Sequence, residues 1–158
     1  LAQLARAYLV FANEGSIPSL KLFKNDKTTD NLQQVFSPES TRRIAEILDS
    51  AASDNGSGYR AVIDGYSVAG KTGTAEMVID GKYNKDGAKR TYFIGFSPAK
   101  NPKYIMAVRL DYPKKCFVSW DPTMRNRCEG SNSAAMVFQK AMKRILINDP
   151  EIKSKFEG

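Results

Sequence analysis

Histidine is absent from all 158 residues of this chain. That removes the Ser-His-Asp triad, the Cys-His pair and every His-ligated metal mechanism together. Cysteine is scarce: Cys116 and Cys128 are too few for a four-thiolate zinc site, and no other good ligand residues cluster beside them. Neither a metal nor an organic cofactor is expected. Long apolar runs are missing as well. None approaches the ~18 residues that crossing a bilayer takes, and no segment combines a basic flank, an apolar stretch and a small-residue cleavage site. The residues present read as soluble, with any membrane contact left to an anchor outside them. The chain starts on Leu1, in a stretch already helical in period, as expected of a piece cut from a larger protein.

What remains has the size and balance of one globular domain, with 42% hydrophobic and 26% charged residues. Lys and Arg number 24 against 17 Asp and Glu, a formal charge of +7. The excess is local: residues 81–128 hold 11 basic and 3 acidic side chains, so 11 − 3 = +8 there and −1 elsewhere. Lysines on solvated hairpin edges account for such a run, and a polyanion-binding face is the other reading. No aromatic-and-basic ladder or groove-reading helix accompanies it, so no nucleic-acid partner is expected.

Leu1, Leu4, Tyr8 and Phe11 recur at helical spacing, and Asn13-Glu14-Gly15 stops that helix through a left-handed cap. Residues 17–35 read as loop with one short strand. Ser37-Pro38-Glu39 supplies an N-cap, a proline at the first helical position and an early negative charge. Ile44, Ile47, Leu48 and Ala51 would be the buried stripe of this second helix, which ends near Asn55-Gly56. From Tyr66 to Ile79 the pattern is β, followed by an Asp80-Gly81 turn. Thr91 to Phe96 and Lys103 to Tyr112 form an antiparallel hairpin across Pro98–Pro102. Ser131 caps a closing helix with Ala134, Phe138, Ala141, Met142 and Ile145 on one face, ended by Asn148-Asp149-Pro150. Helices and strands segregate in this order, which predicts an α+β domain with helices packed on an antiparallel sheet.

The chemistry is concentrated in Gly70-Lys71-Thr72-Gly73-Thr74-Ala75. Glycine weakens a strand, so two of them imply a close approach to the backbone, by a neighbouring element or by a ligand laid along the edge. Lys71 offers a cation. Thr72 and Thr74 offer hydroxyls on the other side of the pleat, and the strand edge offers amides. Such a place suits a carboxylate and a carbonyl.

This segment, with Gly65-Tyr66-Ser67-Val68-Ala69 before it, resembles the third motif of penicillin-binding protein transpeptidase domains, class B and of the septal, division-specific type. Leu4-Ala5-Arg6-Ala7-Tyr8 with Ala12-Asn13-Glu14-Gly15, Gly58-Tyr59-Arg60-Ala61, and Thr91-Tyr92-Phe93-Ile94-Gly95-Phe96-Ser97-Pro98-Ala99 extend the resemblance over almost the whole chain. It implies residues 1–158 as the C-terminal portion of one such domain, part of a penicillin-binding/serine-β-lactamase-like fold. The implied activity is cross-linking of D-Ala-D-Ala stem peptides through a serine acyl-enzyme that β-lactams also form. Lys71 would direct positive potential at the substrate carboxylate, which the Thr72 and Thr74 hydroxyls would bind. The Thr74 backbone N–H would be one oxyanion-hole donor, and Gly73 would keep the edge clear for the donor peptide. The implied partners are the peptidoglycan stem peptide, β-lactam antibiotics and the division machinery, at the periplasmic face of the cytoplasmic membrane.

The family's nucleophile and second motifs precede Lys-Thr-Gly, and neither sits in a suitable place here. Ser97-Pro98-Ala99-Lys100 has the letters of the first, but it follows Lys71 and lies in a turn. Ser53-Asp54-Asn55 has the letters of the second, and helix termination explains it better. The chain alone is therefore expected to be inactive, half of a site. A penicillin-recognising sensor or inactive binding module is the alternative. The loop from Pro113 to Gly130, with Trp120, departs from the family wording, and an oxidising periplasm would allow Cys116 and Cys128 at its ends to pair; two free thiols are the other possibility.

Overall fold

The structure, a computed structural model, describes residues 1–21, 23, 32–83, 88–114, 116 and 128–153. Trp120 and most of the loop between the cysteines lie outside the described residues. Helix α1 spans Ala2–Ala12 and helix α2 Pro38–Ala51, with the short strands β1 (Ser16–Ile17) and β2 (Gln33–Gln34) paired antiparallel between them. A 3-10 turn at Tyr59–Ala61 leads to β3 (Ala69–Glu76). A small hairpin of β4 (Val78–Ile79) and β5 (Lys82–Tyr83) follows, then β6 (Lys89–Ser97) and β7 (Tyr104–Asp111). Helix α3 covers Ala134–Asn148, and one further turn, α4, covers Pro150–Lys153. The main sheet is antiparallel in the order β3-β6-β7.

The ends of these elements follow local chemistry. Val10 C=O accepts from Gly15 N–H at 2.8 Å, with Glu14 at φ +49° and Gly15 at φ +93°, so α1 stops in a left-handed cap. Ser37 Oγ accepts the Ser40 N–H at 3.2 Å and Pro38 sits in the first turn of α2. The β4–β5 connection places Asp80 at φ +51° and Gly81 at φ +74°, the backbone that a two-residue hairpin loop needs.

Helices cover both faces of the sheet, which identifies the fold as α+β. On one face Phe93 meets Phe138 of α3 with ring centroids 4.6 Å apart, and Met142, Leu146, Ala134 and Ala135 close the cluster against Met106 and Val108 of β7. On the other, Leu48 of α2 packs with Ala69, Phe96, Ala99 and Ile105, flanked by Tyr8 and Phe11 of α1. Complete burial of each large apolar side chain contributes roughly 1.5–3 kcal/mol.

Four sequence expectations are corrected. In α2 the buried residues are Thr41 and Leu48, continued by Ala52, whereas Ile47 is 61% and Ile44 40% exposed. The helix carries two apolar stripes, and the one with the smaller side chains is the one against β3. It also ends at Ala51, earlier than Asn55-Gly56. In α3 the N-cap is Ser133 rather than Ser131, and Leu146 replaces Ile145 on the buried face. Residues 130–133 form turns laid against the sheet instead of the start of a helix.

Candidate functional site

Strand β3 is the edge of its sheet. It pairs with β6 from Ala69↔Phe96 to Glu76↔Lys89, and among the described residues no strand pairs with its other side. The pleat sorts its side chains. Thr72 and Thr74 lie opposite Phe93 and Thr91 and so share the α3 face; Lys71 and Gly73 lie opposite Ile94 and Tyr92 and share the α2 face. The Lys71 side chain bends to the edge, where Nζ donates to the Thr72 carbonyl at 3.2 Å, Thr72 Oγ1 at 3.3 Å and Ser57 Oγ at 3.5 Å. No ion pair neutralises its ammonium among the described residues.

Both hydroxyls are oriented by donors of the chain. An ammonium has no acceptor, so the Lys71–Thr72 contact occupies a lone pair of Thr72 Oγ1; the Gly130 N–H does the same to Thr74 Oγ1 at 3.0 Å. Each threonine keeps one lone pair and its O–H, and toward an acceptor-only group it gives the O–H. Two hydroxyl donors and a cation on an unpaired edge are what a carboxylate takes up.

The two glycines of the strand have different reasons. A Cβ on Gly70 would meet Ile94 O and Phe93 Cζ at 2.7 Å, and one on the opposite Gly95 would meet Ala69 O at 2.7 Å. The Phe93 ring lies over this glycine pair, so Gly70 serves packing. A Cβ on Gly73 would find only the Tyr92 side chain, its nearest atom Cβ at 3.4 Å. No close contact among the described residues demands glycine at 73, and its missing Cβ leaves that side of the pleat, which it shares with Lys71, open.

Sequence reasoning missed two contributors. Ser57, in the turns after α2, is the third oxygen near Lys71 Nζ. Gly130 reaches Thr74 from the turn before α3, where a Cβ would strike Gly73 O and Tyr92 O, each at 2.7 Å. That turn is tied down further: Ser133 Oγ donates to the Glu129 carbonyl and accepts from Thr91 Oγ1 at 2.9 Å, Glu129 N–H donates to Asn132 Oδ1 at 2.6 Å, and Cys128 is bonded to Cys116 with Cα atoms 5.3 Å apart. A lone Gly in Glu129-Gly130-Ser131 gave no signal of contact with a strand 56 positions away.

The serines that imitate the missing motifs hold the fold. Ser97 is fully buried and donates to the Ser67 carbonyl at 2.8 Å, while Ser67 Oγ accepts from Ala99 N–H at 2.9 Å. Ser53 Oγ donates to the Ser50 carbonyl at 2.7 Å just past α2. Among the described residues no group of three or more His, Cys, Asp or Glu side chains is placed to hold a metal ion, and no helix is long and apolar enough to cross a membrane.

Helices on both faces of an antiparallel sheet whose edge strand reads Lys-Thr-Gly-Thr fit the class of penicillin-binding transpeptidase domains, and a solved member is similar over most of this chain. The apo transpeptidase domain of penicillin-binding protein 3 from Burkholderia pseudomallei matches with a TM-score of 0.74 at 30% identity, over 94% of this chain and 42% of that one. The family described as "Penicillin binding protein transpeptidase domain" matches residues 1–143, and the chain belongs to that family. Among curated relatives, the probable peptidoglycan D,D-transpeptidase PbpC of Pseudomonas aeruginosa is 38% identical over 114 residues, 72% of this chain and 20% of its own length. Peptidoglycan D,D-transpeptidase FtsI of Buchnera aphidicola is 34% identical over 149 residues, 91% of this chain and 24% of its own. Stage V sporulation protein D of Bacillus subtilis is 43% identical over 82 residues, 52% of this chain and 12% of its own. The resemblance to septal members stands beside these names, and the chain spans a minor part of each relative.

Proposed function

We propose that this chain is the carboxylate-binding portion of a peptidoglycan D,D-transpeptidase whose nucleophilic serine and second-motif serine lie on upstream polypeptide. The single observation that carries the reading is the edge of β3, where Lys71 Nζ and Gly130 N–H each fill one lone pair of Thr72 and Thr74 Oγ1, so that both hydroxyls can donate outward beside a cation that no carboxylate among the described residues pairs with.

In this reading a donor stem peptide ending in D-Ala-D-Ala lies along β3 as an added strand, its terminal carboxylate on the Thr72 and Thr74 hydroxyls and facing Lys71. The upstream serine attacks the penultimate carbonyl, and the Thr74 backbone N–H is one donor to the oxyanion that forms, a contribution worth about 3 kcal/mol in comparable sites. D-Ala leaves, and an amine of a neighbouring stem accepts the acyl group. A β-lactam, carrying a carboxylate beside its strained amide, enters by the same contacts and stays on the serine.

The second apolar stripe of α2 supports a covering upstream portion: Ile44 and Ile47, with Leu1, Leu4, Val35 and Phe36 nearby in sequence to the two helices, are exposed. The same reading puts the whole protein at the periplasmic face of the cytoplasmic membrane, attached by an anchor outside these residues and working with division proteins.

Fluorescent penicillin tests it. The isolated chain is expected to give no covalent adduct, and the longer protein with the upstream segment to give a stable one on an upstream serine. An adduct on this chain alone, or none on the longer protein, overturns the assignment. Formation of cross-linked product from stem peptides separates an enzyme from a sensor that only binds.

A further inference from the structure

The turn before α3 does more than connect elements. Gly130 is buried, its carbonyl accepts from Ala135 N–H at 2.8 Å, and its own N–H is spent on Thr74 Oγ1 at 3.0 Å. No residue larger than glycine fits, because the atoms 2.7 Å from a Cβ there are the backbone oxygens of Gly73 and Tyr92. Two residues earlier, Cys128 is bonded to Cys116, which follows the end of β7. The disulfide therefore anchors the approach to Gly130 on the side away from α3, while Ser133, bonded to Thr91 Oγ1, anchors the other.

We infer that Gly130, held by the Cys116–Cys128 disulfide, is a positioning residue for the ligand carboxylate: its N–H orients the Thr74 hydroxyl so that the proton points out of β3. A threonine hydroxyl otherwise rotates between giving and accepting. With one of its two lone pairs filled from inside the fold, the O–H is turned outward, and toward a carboxylate, which only accepts, giving is the role it takes. Gly130 touches no ligand in this arrangement and acts through Thr74. The inference rests on the carboxylate-binding role proposed above.

The test uses the longer protein carrying the upstream serine. Acylation rate constants are measured for a penicillin and for the same penicillin with its carboxylate blocked as the methyl ester, in wild type and in Cys116→Ser/Cys128→Ser, each with and without Thr74→Val. Losing one oriented hydrogen bond of ordinary strength corresponds to about a five-fold slower reaction. The serine pair is expected to slow the free-acid penicillin by that factor, to leave the ester unchanged, and to have no further effect once Thr74 is Val. Equal slowing of acid and ester, an undiminished effect in the Thr74→Val background, or no effect at all overturns the inference. Absence of acylation in wild type overturns the underlying reading instead, so the two failures are distinguishable. A second measurement needs no variant: hydrogen exchange of the Gly130 amide in the disulfide-bonded wild type is expected to slow when penicillin is bound, since a hydroxyl that donates becomes a better acceptor. Unchanged exchange overturns the inference even if the serine pair fails to fold.

Discussion

Alanine at Gly70 and at Gly73 separates what the fold needs from what the site needs. The two positions are three residues apart on one strand and face opposite sides of the sheet. At Gly70 the new methyl would sit 2.7 Å from both the Ile94 carbonyl oxygen and Phe93 Cζ, and 2.9 Å from a second atom of that ring. The ring cannot retreat, because it is fully buried and its far side packs on Phe138. Overpacking of this kind costs about 1–3 kcal/mol, which lowers the melting temperature by roughly 2–12 °C in a domain of 150–250 residues and by less in a larger one. At Gly73 the nearest atom is 3.4 Å away, so the methyl fits, and the smaller entropy of the unfolded alanine chain adds stability of about 0.4–1 kcal/mol. That methyl lies on the Lys71 side of the pleat, in the space assigned to the guest peptide. Differential scanning calorimetry and penicillin acylation, both on the longer protein, read the two effects. Gly70→Ala is expected to melt early yet acylate normally at low temperature; Gly73→Ala is expected to melt no earlier yet acylate at least about ten-fold more slowly, a difference of ~1.4 kcal/mol. Normal acylation by Gly73→Ala would refute the docking edge, and an unshifted melting temperature for Gly70→Ala would refute the packing account of the first glycine.

Lys71→Met removes the cation without removing the stem. Acylation by a free-acid penicillin should fall about ten- to hundred-fold, as loss of a hydrogen bond from a charged donor predicts, and the rate should lose most of its dependence on ionic strength; an unchanged rate contradicts the electrostatic role. Leu48→Ala opens the core beside Phe96 and should cost roughly 2–5 kcal/mol in chemical denaturation. Ile47→Ala, on the exposed stripe of the same helix, should cost less than about 0.5 kcal/mol in the isolated chain and more in the longer protein if, as proposed, upstream polypeptide packs on that stripe. Equal costs in both would leave that stripe without a partner. Asp149 sits between Lys103 Nζ and Tyr104 Oη, each 2.7 Å away, and the hydrogen bond from the Lys103 ammonium, with that from Tyr104, holds its carboxyl down from 3.8 to about 2. A depressed carboxyl stabilises the fold fully above its unfolded value, so the contribution is present above pH 3.8 and is lost as pH falls through about 2. Thermal melts across that window should fall more steeply for wild type than for Asp149→Asn, and parallel curves would deny the carboxylate that role.

Much of this molecule is legible before any coordinates because local chemistry and global fold agree. Ser37-Pro38 begins a helix wherever it stands, and Asp80-Gly81 supplies the left-handed backbone of a tight hairpin. Tyr104, Met106, Val108 and Leu110 stand at alternate positions of β7, and it is the structure that packs them on the α3 side. Lys71 to Thr74 stand out for the same kind of reason: glycines and hydroxyls beside a lysine are poor choices for a strand that only has to pack. What the residues leave open is which surface each amphipathic element meets. Two stripes of α2 satisfy helical periodicity equally, and only the position of β3 decides that Leu48 rather than Ile47 turns inward.

The part of the site that sequence pattern conceals is the part made by distant backbone. Gly130 contributes through an amide, which every residue except proline has, and through the absence of a side chain, which is common in turns. Neither leaves a mark in one sequence. The two cysteines were the nearest thing to a signal, since a bond between them has to place the residues just after Cys128 somewhere fixed, and in the structure that place is the back of the Lys-Thr-Gly-Thr strand. Lysine and threonine therefore state what the edge can bind, whereas glycine and cystine set how sharply its hydroxyls are aimed, and a substitution at 130 or 128 belongs to the chemistry of the edge as much as one at 72 or 74.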